Sequence, residues 1–321
     1  MVDRGLLFKE WKQHQAMLLV ICITTVFAYP IYILSEYAGY RGCMKEYDIE
    51  NGISCHFFLD GSSLQMFILA GIILAIIQIG VERNKGTMDF TLSLPFHRKT
   101  IFRSKAFIGT LIIWGSQLLS FIFSLCLIGI LRPDIENFYT GYLWSTLTCF
   151  MLYMLVMAAG TMTGSVVAQV MVGFTASILP LMVIGLLIAH VDLVIGNRWL
   201  GMMTMDALNT ILVYLTPLAY LSTEFNDKPV FVMPIILTAL FYWVGLVCFD
   251  KLPNEREGYF FLAEKLNKPV QVLVISFGIL GFGIFGYSSS LSVFGYLLGV
   301  VIGGVIGFLL SYFLIFKKSK I

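Results

Sequence analysis

The residues with most chemical potential lie in one basic stretch, Glu82-Arg83-Asn84-Lys85-Gly86-Thr87-Met88-Asp89-Phe90-Thr91-Leu92-Ser93-Leu94-Pro95, continuing through His97-Arg98-Lys99 to Arg103 and Lys105. Thr87 can cap a short helix, and Pro95 would stop it. On that helix Met88, Thr91, Leu92 and Pro95 share one face, rimmed by basic residues. The pattern fits a docking element for a soluble partner, or a basic loop that only enforces membrane topology. No catalytic constellation accompanies it. A membrane enzyme needs paired groups, such as two His with a Glu or a Ser with a base, and the apolar segments offer none. No G-x-x-x-x-G-K-[ST] loop is present to hold nucleotide phosphates. Neither a Cys-x-x-Cys nor a His-rich spacing suggests a metal; His56 stands alone, and His190 with Asp192 makes a weak pair better suited to hydrogen bonding at an interface.

Two further sets of side chains remain. Gln78, Gln117 and Gln169 lie in apolar segments, where they either hydrogen-bond between helices or line a pathway. Cys43 and Cys55 fall in one predicted outer loop with eleven residues between them. A disulfide there would brace a loop without a core, outside the reducing cytoplasm. Cys22, Cys126, Cys149 and Cys248 sit in apolar runs and read as small apolar side chains.

The elements that must position these residues are membrane helices. Hydrophobic residues make up 58% of the chain and charged ones only 12%, too few to cover a soluble surface. Eight apolar segments are long enough to cross a bilayer: roughly 17–34, 64–81, 106–131, 143–162, 166–189, 229–248, 269–288 and 292–316. The fold class expected is therefore all-α, a polytopic integral membrane protein with about eight transmembrane helices in a single domain spanning 1–321. The apolar run that follows the head lacks a small-x-small cleavage site and reads as a retained first span.

Charge placement orients the chain. With the N-terminus inside, segments 1–16, 82–105, 249–268 and 317–321 hold 16 Lys and Arg, whereas the outer segments 35–63, 132–142 and 190–228 hold 5. Basic residues are retained on the cytoplasmic side, so both termini are expected there, in a cytoplasmic (plasma) membrane. The net charge of +2 gives no reason to expect nucleic acid as a partner; membrane lipid is the expected surrounding.

Three segments are not simple spans or loops. In the head 1–16, Leu7, Phe8 and Trp11 fall on one face and Lys9 and Lys12 on another, which suggests an interfacial helix or an extension of the first span. Thr210–Leu221 is too short to span and too apolar for water, so a re-entrant hairpin before the sixth span is expected. Segment 249–268 reads as a solvated linker or a second partner contact. In the last span, Gly295, Gly299, Gly303 and Gly307 recur every four residues and are expected to pack on the preceding span (269–316 forming the final pair).

The order Glu82-Arg83-x-x-Gly86-Thr87, then Leu92-x-Leu94-Pro95, then Arg98-Lys99 and the later Lys105 resembles the permease subunits of ABC-2-type (type V) ABC transporters. The resemblance covers the first six spans in order. It implies that 82–105 is the coupling loop, with Glu82, Arg83, Gly86, Thr87, Met88, Leu92 and Pro95 forming the helix that contacts a cytoplasmic ABC ATPase. With Leu252-Pro253-x-x-Arg256-x-Gly258 and the two extra spans, the chain is similar to the Ytr-type permeases linked to acetoin utilisation and cell-envelope stress. ATP and Mg would then be bound by the partner ATPase and no cofactor by this chain, which would pair with a second permease of the same or a related sequence.

The function expected is the permease subunit of an ATP-driven exporter of a small neutral or amphipathic compound. The spans carry essentially no charge, which argues against a proton- or sodium-driven carrier built on buried carboxylates. The alternative is a non-transporting membrane subunit that couples ATPase cycles to envelope-stress sensing or antibiotic resistance.

Overall fold

In hydrocarbon every backbone N–H and C=O must find a partner within the protein, and an α-helix meets that demand within one segment. The long apolar runs accordingly form helices. The computed structural model describes residues 3–46, 56–60, 68–195, 214–221, 231–251, 258–290 and 292–316. Seven of the described helices are long and apolar enough to cross a membrane. The expected second span, 64–81, begins outside the described residues; from Ile68 it is helical, first as α2 (Ile68–Ala75), then as a π-helical turn (Ile76–Val81) and α3 (Glu82–Asn84).

The chain divides into two compact units, one of Met1–Gln78, Pro95–Met157 and Tyr220–Trp243, the other of Ile79–Leu94, Ala158–Ala219 and Val244–Ile321. In the first, α1 (Arg4–Glu46) packs along α5 (Arg98–Leu131), and α2 touches both. The 43 residues of α1 make a rod about 64 Å long, roughly twice the hydrocarbon thickness. The head is therefore not set off from the first span; it is the same helix carried onward. Leu6, Glu10 and His14 form its buried stripe, while Phe8 and Trp11 face outward.

Where α1, α5 and α6 (Phe138–Met162) leave the predicted outer side, two loops meet that sequence patterning did not pair. Strand β1 (Phe58–Asp60) lies parallel to β2 (Asp134–Glu136), with Leu59 opposite Ile135. Beneath this ribbon Tyr29, Ile33, Phe57, Leu59, Phe138 and Tyr142 form a buried aromatic cluster. Of the 210–221 run, the described part holds a 3-10 helix, Pro217–Leu221, with Thr216 and Tyr220 buried and the Tyr220 ring stacked 5.2 Å from Trp144. The rest of the expected re-entrant hairpin lies outside the described residues.

In the second unit α7 (Val166–Ile195) packs on α9 (Glu264–Ser290), and α9 pairs with α10 (Val293–Ser311), which ends in a π-helical turn (Tyr312–Phe316). The sixth expected span is α8 (Val232–Lys251), shared between the units. The glycine ridge of α10 meets the glycines of α9: Gly303 faces Gly278, Gly295 faces Gly286, and Gly299 lies on the Phe282 carbonyl. A Cβ at Gly303 would collide with the Gly278 carbonyl oxygen, backbone that cannot swing aside. Gly303→Leu should therefore cost about 1–3 kcal/mol or separate the pair, read as a lower thermal midpoint in detergent. Gly281→Leu, whose Cβ meets nothing within 4 Å, should leave that midpoint unchanged.

Candidate functional site

Gly86 sets the geometry of the basic loop. Its φ of 67° is left-handed, open to glycine and costing other residues about 1–2 kcal/mol. Its N–H closes a turn on the Arg83 carbonyl at 2.9 Å, and the Thr87 hydroxyl donates to the Glu82 carbonyl at 3.0 Å. The chain thereby reverses within three residues of α3, and α4 (Thr87–Ser93) begins. Leu94, extended as a residue before proline must be, ends it at Pro95.

Two buried charges hold α4 and its stem. The Thr91 hydroxyl donates to a Glu82 carboxylate oxygen at 2.7 Å, and both side chains are fully buried. Arg83, 4% exposed, donates through one terminal nitrogen to the carbonyls of Gly160, at 2.7 Å, and of Thr163. These carbonyls lie at the C-terminal end of α6, where helix hydrogen bonding runs out and the dipole favours a cation. The same α6–α7 turn accepts a third segment: Thr163 bridges Phe261, and the Leu262 N–H reaches the Met162 carbonyl at 3.0 Å. Segments 82–91, 160–164 and 258–262, all expected on one side of the membrane, therefore meet in one unit. The described part of the 249–268 loop is thus anchored, and residues 252–257 lie outside the description.

The helical face expected to meet a partner is instead turned inward. Met88 and Thr91 are buried and Leu92 is partly so, while Asp89, Phe90 and Ser93 face out, Phe90 with 64% of its surface exposed. The face computed from sequence is the same; its destination differs. Met88, being apolar, fills this chain's own interior, and the Thr91 hydroxyl is drawn to Glu82. Glu82, Arg83 and Met88 therefore support the loop, and Phe90 with exposed Pro95 remains available for contact. An aromatic residue opposite Met88 on a seven-residue helix was the available signal for it.

The other unit holds a second polar assembly that no residue spacing announces. Lys105, fully buried, pairs with Glu10 at 2.8 Å, which ties the head of α1 to α5. The Gln78 amide donates to the Lys105 carbonyl at 3.2 Å and accepts from the Tyr153 hydroxyl at 2.7 Å. Gln78 is thus held in helix-to-helix bonds. Gln169, fully buried, fills a slot left by Gly80 and Gly160. Gln117 lines a cavity of about 220 Å³ shared with Trp114, Phe121 and Tyr142. It is 3% exposed, and its amide nitrogen has no hydrogen-bond partner. Cys43 is disulfide-bonded, and Cys22, Cys126, Cys149 and Cys248 are free; Cys55 lies outside the described residues.

Seven long apolar helices, with a short, clamped amphipathic helix on a basic loop, mark a multi-pass membrane protein. Sequence comparison specifies it further. The chain is 41% identical, over the whole of both sequences, to the probable ABC transporter permease YtrC of Bacillus subtilis strain 168. It is 39% identical, again over the whole of both, to the probable ABC transporter permease YtrD of that organism. The chain belongs to the Ytr-type ABC transporter permeases. No protein-family model matches it, and no solved structure does.

Proposed function

We propose that this permease transmits the nucleotide cycle of a separate cytoplasmic ABC ATPase, which binds ATP and Mg, into its spans through α4. The carrying observation is a helix whose exposed aromatic, Phe90, stands on a stem fixed by Glu82–Thr91 and by Arg83 to the end of α6. Such a lever is stiff at its root and apolar at its tip, so closure of a partner would move α6 as a rigid body. The 16-to-5 bias of Lys and Arg supports placing this loop and both termini in the cytoplasm. The Cys43–Cys55 pairing across the outer loop belongs to the same orientation.

The cargo class that best suits spans without charge is neutral or amphipathic, moved outward by two permeases, identical or related. The buried Gln117 amide beside aromatic rings is the side chain best suited to orient it. Acetoin utilisation rests on the family resemblance alone, and no residue here selects for acetoin. A second reading is favoured by Gln78 and Gln169, which serve packing rather than a pathway: a membrane subunit that relays ATPase cycles to envelope-stress or antibiotic sensing without transport.

Phe90→Asp tests the coupling reading. The side chain is exposed, so the variant should insert and retain its thermal midpoint, yet lose co-purification of the ATPase by tenfold or more, on the order of one interface hot spot. Undiminished co-purification would remove α4 from the interface. Stimulation of hydrolysis by a cargo, abolished in Gln117→Leu, separates transport from the relay reading.

A further inference from the structure

A groove between α5, α6 and α8 in the first unit encloses about 630 Å³, within the range of small-molecule sites. Its mouth carries Arg103, exposed near the start of α5. Among the described residues no hydrogen bond or ion pair engages this guanidinium. Beyond it the walls are apolar: Phe107, Phe150, Ile235 and Ala239, ending at Trp114. The two threonines present make no polar demand, since the Thr110 hydroxyl bonds to the Ala106 carbonyl and the Thr238 hydroxyl to the Pro234 carbonyl. From Arg103 to Trp114 the helix rises about 16 Å, close to the depth of one hydrocarbon leaflet.

We infer that this groove is a binding site for an anionic glycerophospholipid, its phosphate on Arg103 and one acyl chain laid toward Trp114. Apart from the Tyr242 hydroxyl and the Trp114 indole N–H the walls offer a polar metabolite no free donor, whereas an acyl chain needs none. A basic residue at the membrane face of an interhelical pocket supplies the charge complementarity that a zwitterionic lipid uses less well. The leaflet concerned is the one bordering the start of α5, cytoplasmic under the proposed orientation, and the site itself depends only on the chain being embedded in a membrane.

Native mass spectrometry of the full chain with its ATPase, in micelles doped with phosphatidylglycerol or phosphatidylcholine, tests the site. The wild type should retain phosphatidylglycerol preferentially. Arg103→Gln should retain about tenfold less, as loss of a charge-assisted hydrogen bond implies, and Arg103→Lys should keep most of it. Ala239→Trp should displace the lipid by filling the groove while Arg103 remains. Equal retention by the wild type and Arg103→Gln, or no preference between the lipids, overturns the proposal, as would a second copy of the chain crosslinking into a lipid-free groove. ATPase co-purification is scored in the same samples, and Ala239→Trp, outside the 82–105 loop, should lose the lipid yet keep the ATPase, so the groove and the coupling helix are judged separately.

Discussion

Lys105→Met should destabilise the protein by about 3 kcal/mol, the largest effect expected of any polar substitution in the first unit. Lys105 is fully buried and Glu10 is 2% exposed, so removing the ammonium strands a carboxylate that has already given up its water. Breaking a buried ion pair from one side typically costs about 3–5 kcal/mol. The lower end applies because Lys9, at 3.2 Å from the other carboxylate oxygen and itself partly exposed, still offsets some of the charge. Gln78 bonds to the backbone carbonyl of Lys105 and not to its side chain, so the Tyr153–Gln78 pair should survive. The measurement is the thermal midpoint in detergent, with Glu10→Leu added on top of Lys105→Met. That double variant removes both charges and should recover most of the loss. A midpoint no better than the single variant's would mean that the pair itself, and not the stranded charge, carries the stability.

Arg83→Met is expected to separate binding from transmission. The guanidinium joins α3 to the Gly160 and Thr163 carbonyls, and its loss leaves two acceptors buried at the end of α6. The cost should be about 3 kcal/mol, as each stranded buried group forfeits ~1–3 kcal/mol. Arg83→Lys retains a charge at the helix C-terminus but not the rigid fork, and should recover part of it. Phe90 remains exposed on α4, so the ATPase should still co-purify, in contrast to Phe90→Asp. Hydrolysis, however, should lose its response to the permease. Intact coupling in Arg83→Met would show that motion leaves α4 by a route other than α6.

Much of this organisation was legible in the residues alone. Apolar length identified the spans, since a bilayer demands about 20 residues of helix whatever they pack against. The positions Gly86 and Pro95 announced the loop helix because each restricts its own backbone. The α10 glycines announced a close approach, as only a missing Cβ permits one. These signals are local.

The residues that hold the loop, and the face it presents, were not legible. Glu10 and Lys105 stand 95 residues apart, and neither carries a mark of its partner. Arg83 was expected among the residues that contact an ATPase, but it reaches across 77 residues to the Gly160 carbonyl. Helical periodicity correctly grouped Met88, Thr91 and Leu92, yet a hydrophobic face says only that something covers it. Here this chain covers it, and Phe90 stays exposed.

By itself the sequence determined the class of solvent, the run of helices and the place of the short loop helix between Gly86 and Pro95, because each follows from the chemistry of a short window. The tertiary structure decided which buried charges meet, that strands 58–60 and 134–136 pair, and that α4 turns its aromatic side outward. Those outcomes depend on which distant segments desolvate one another, and no local pattern contains that.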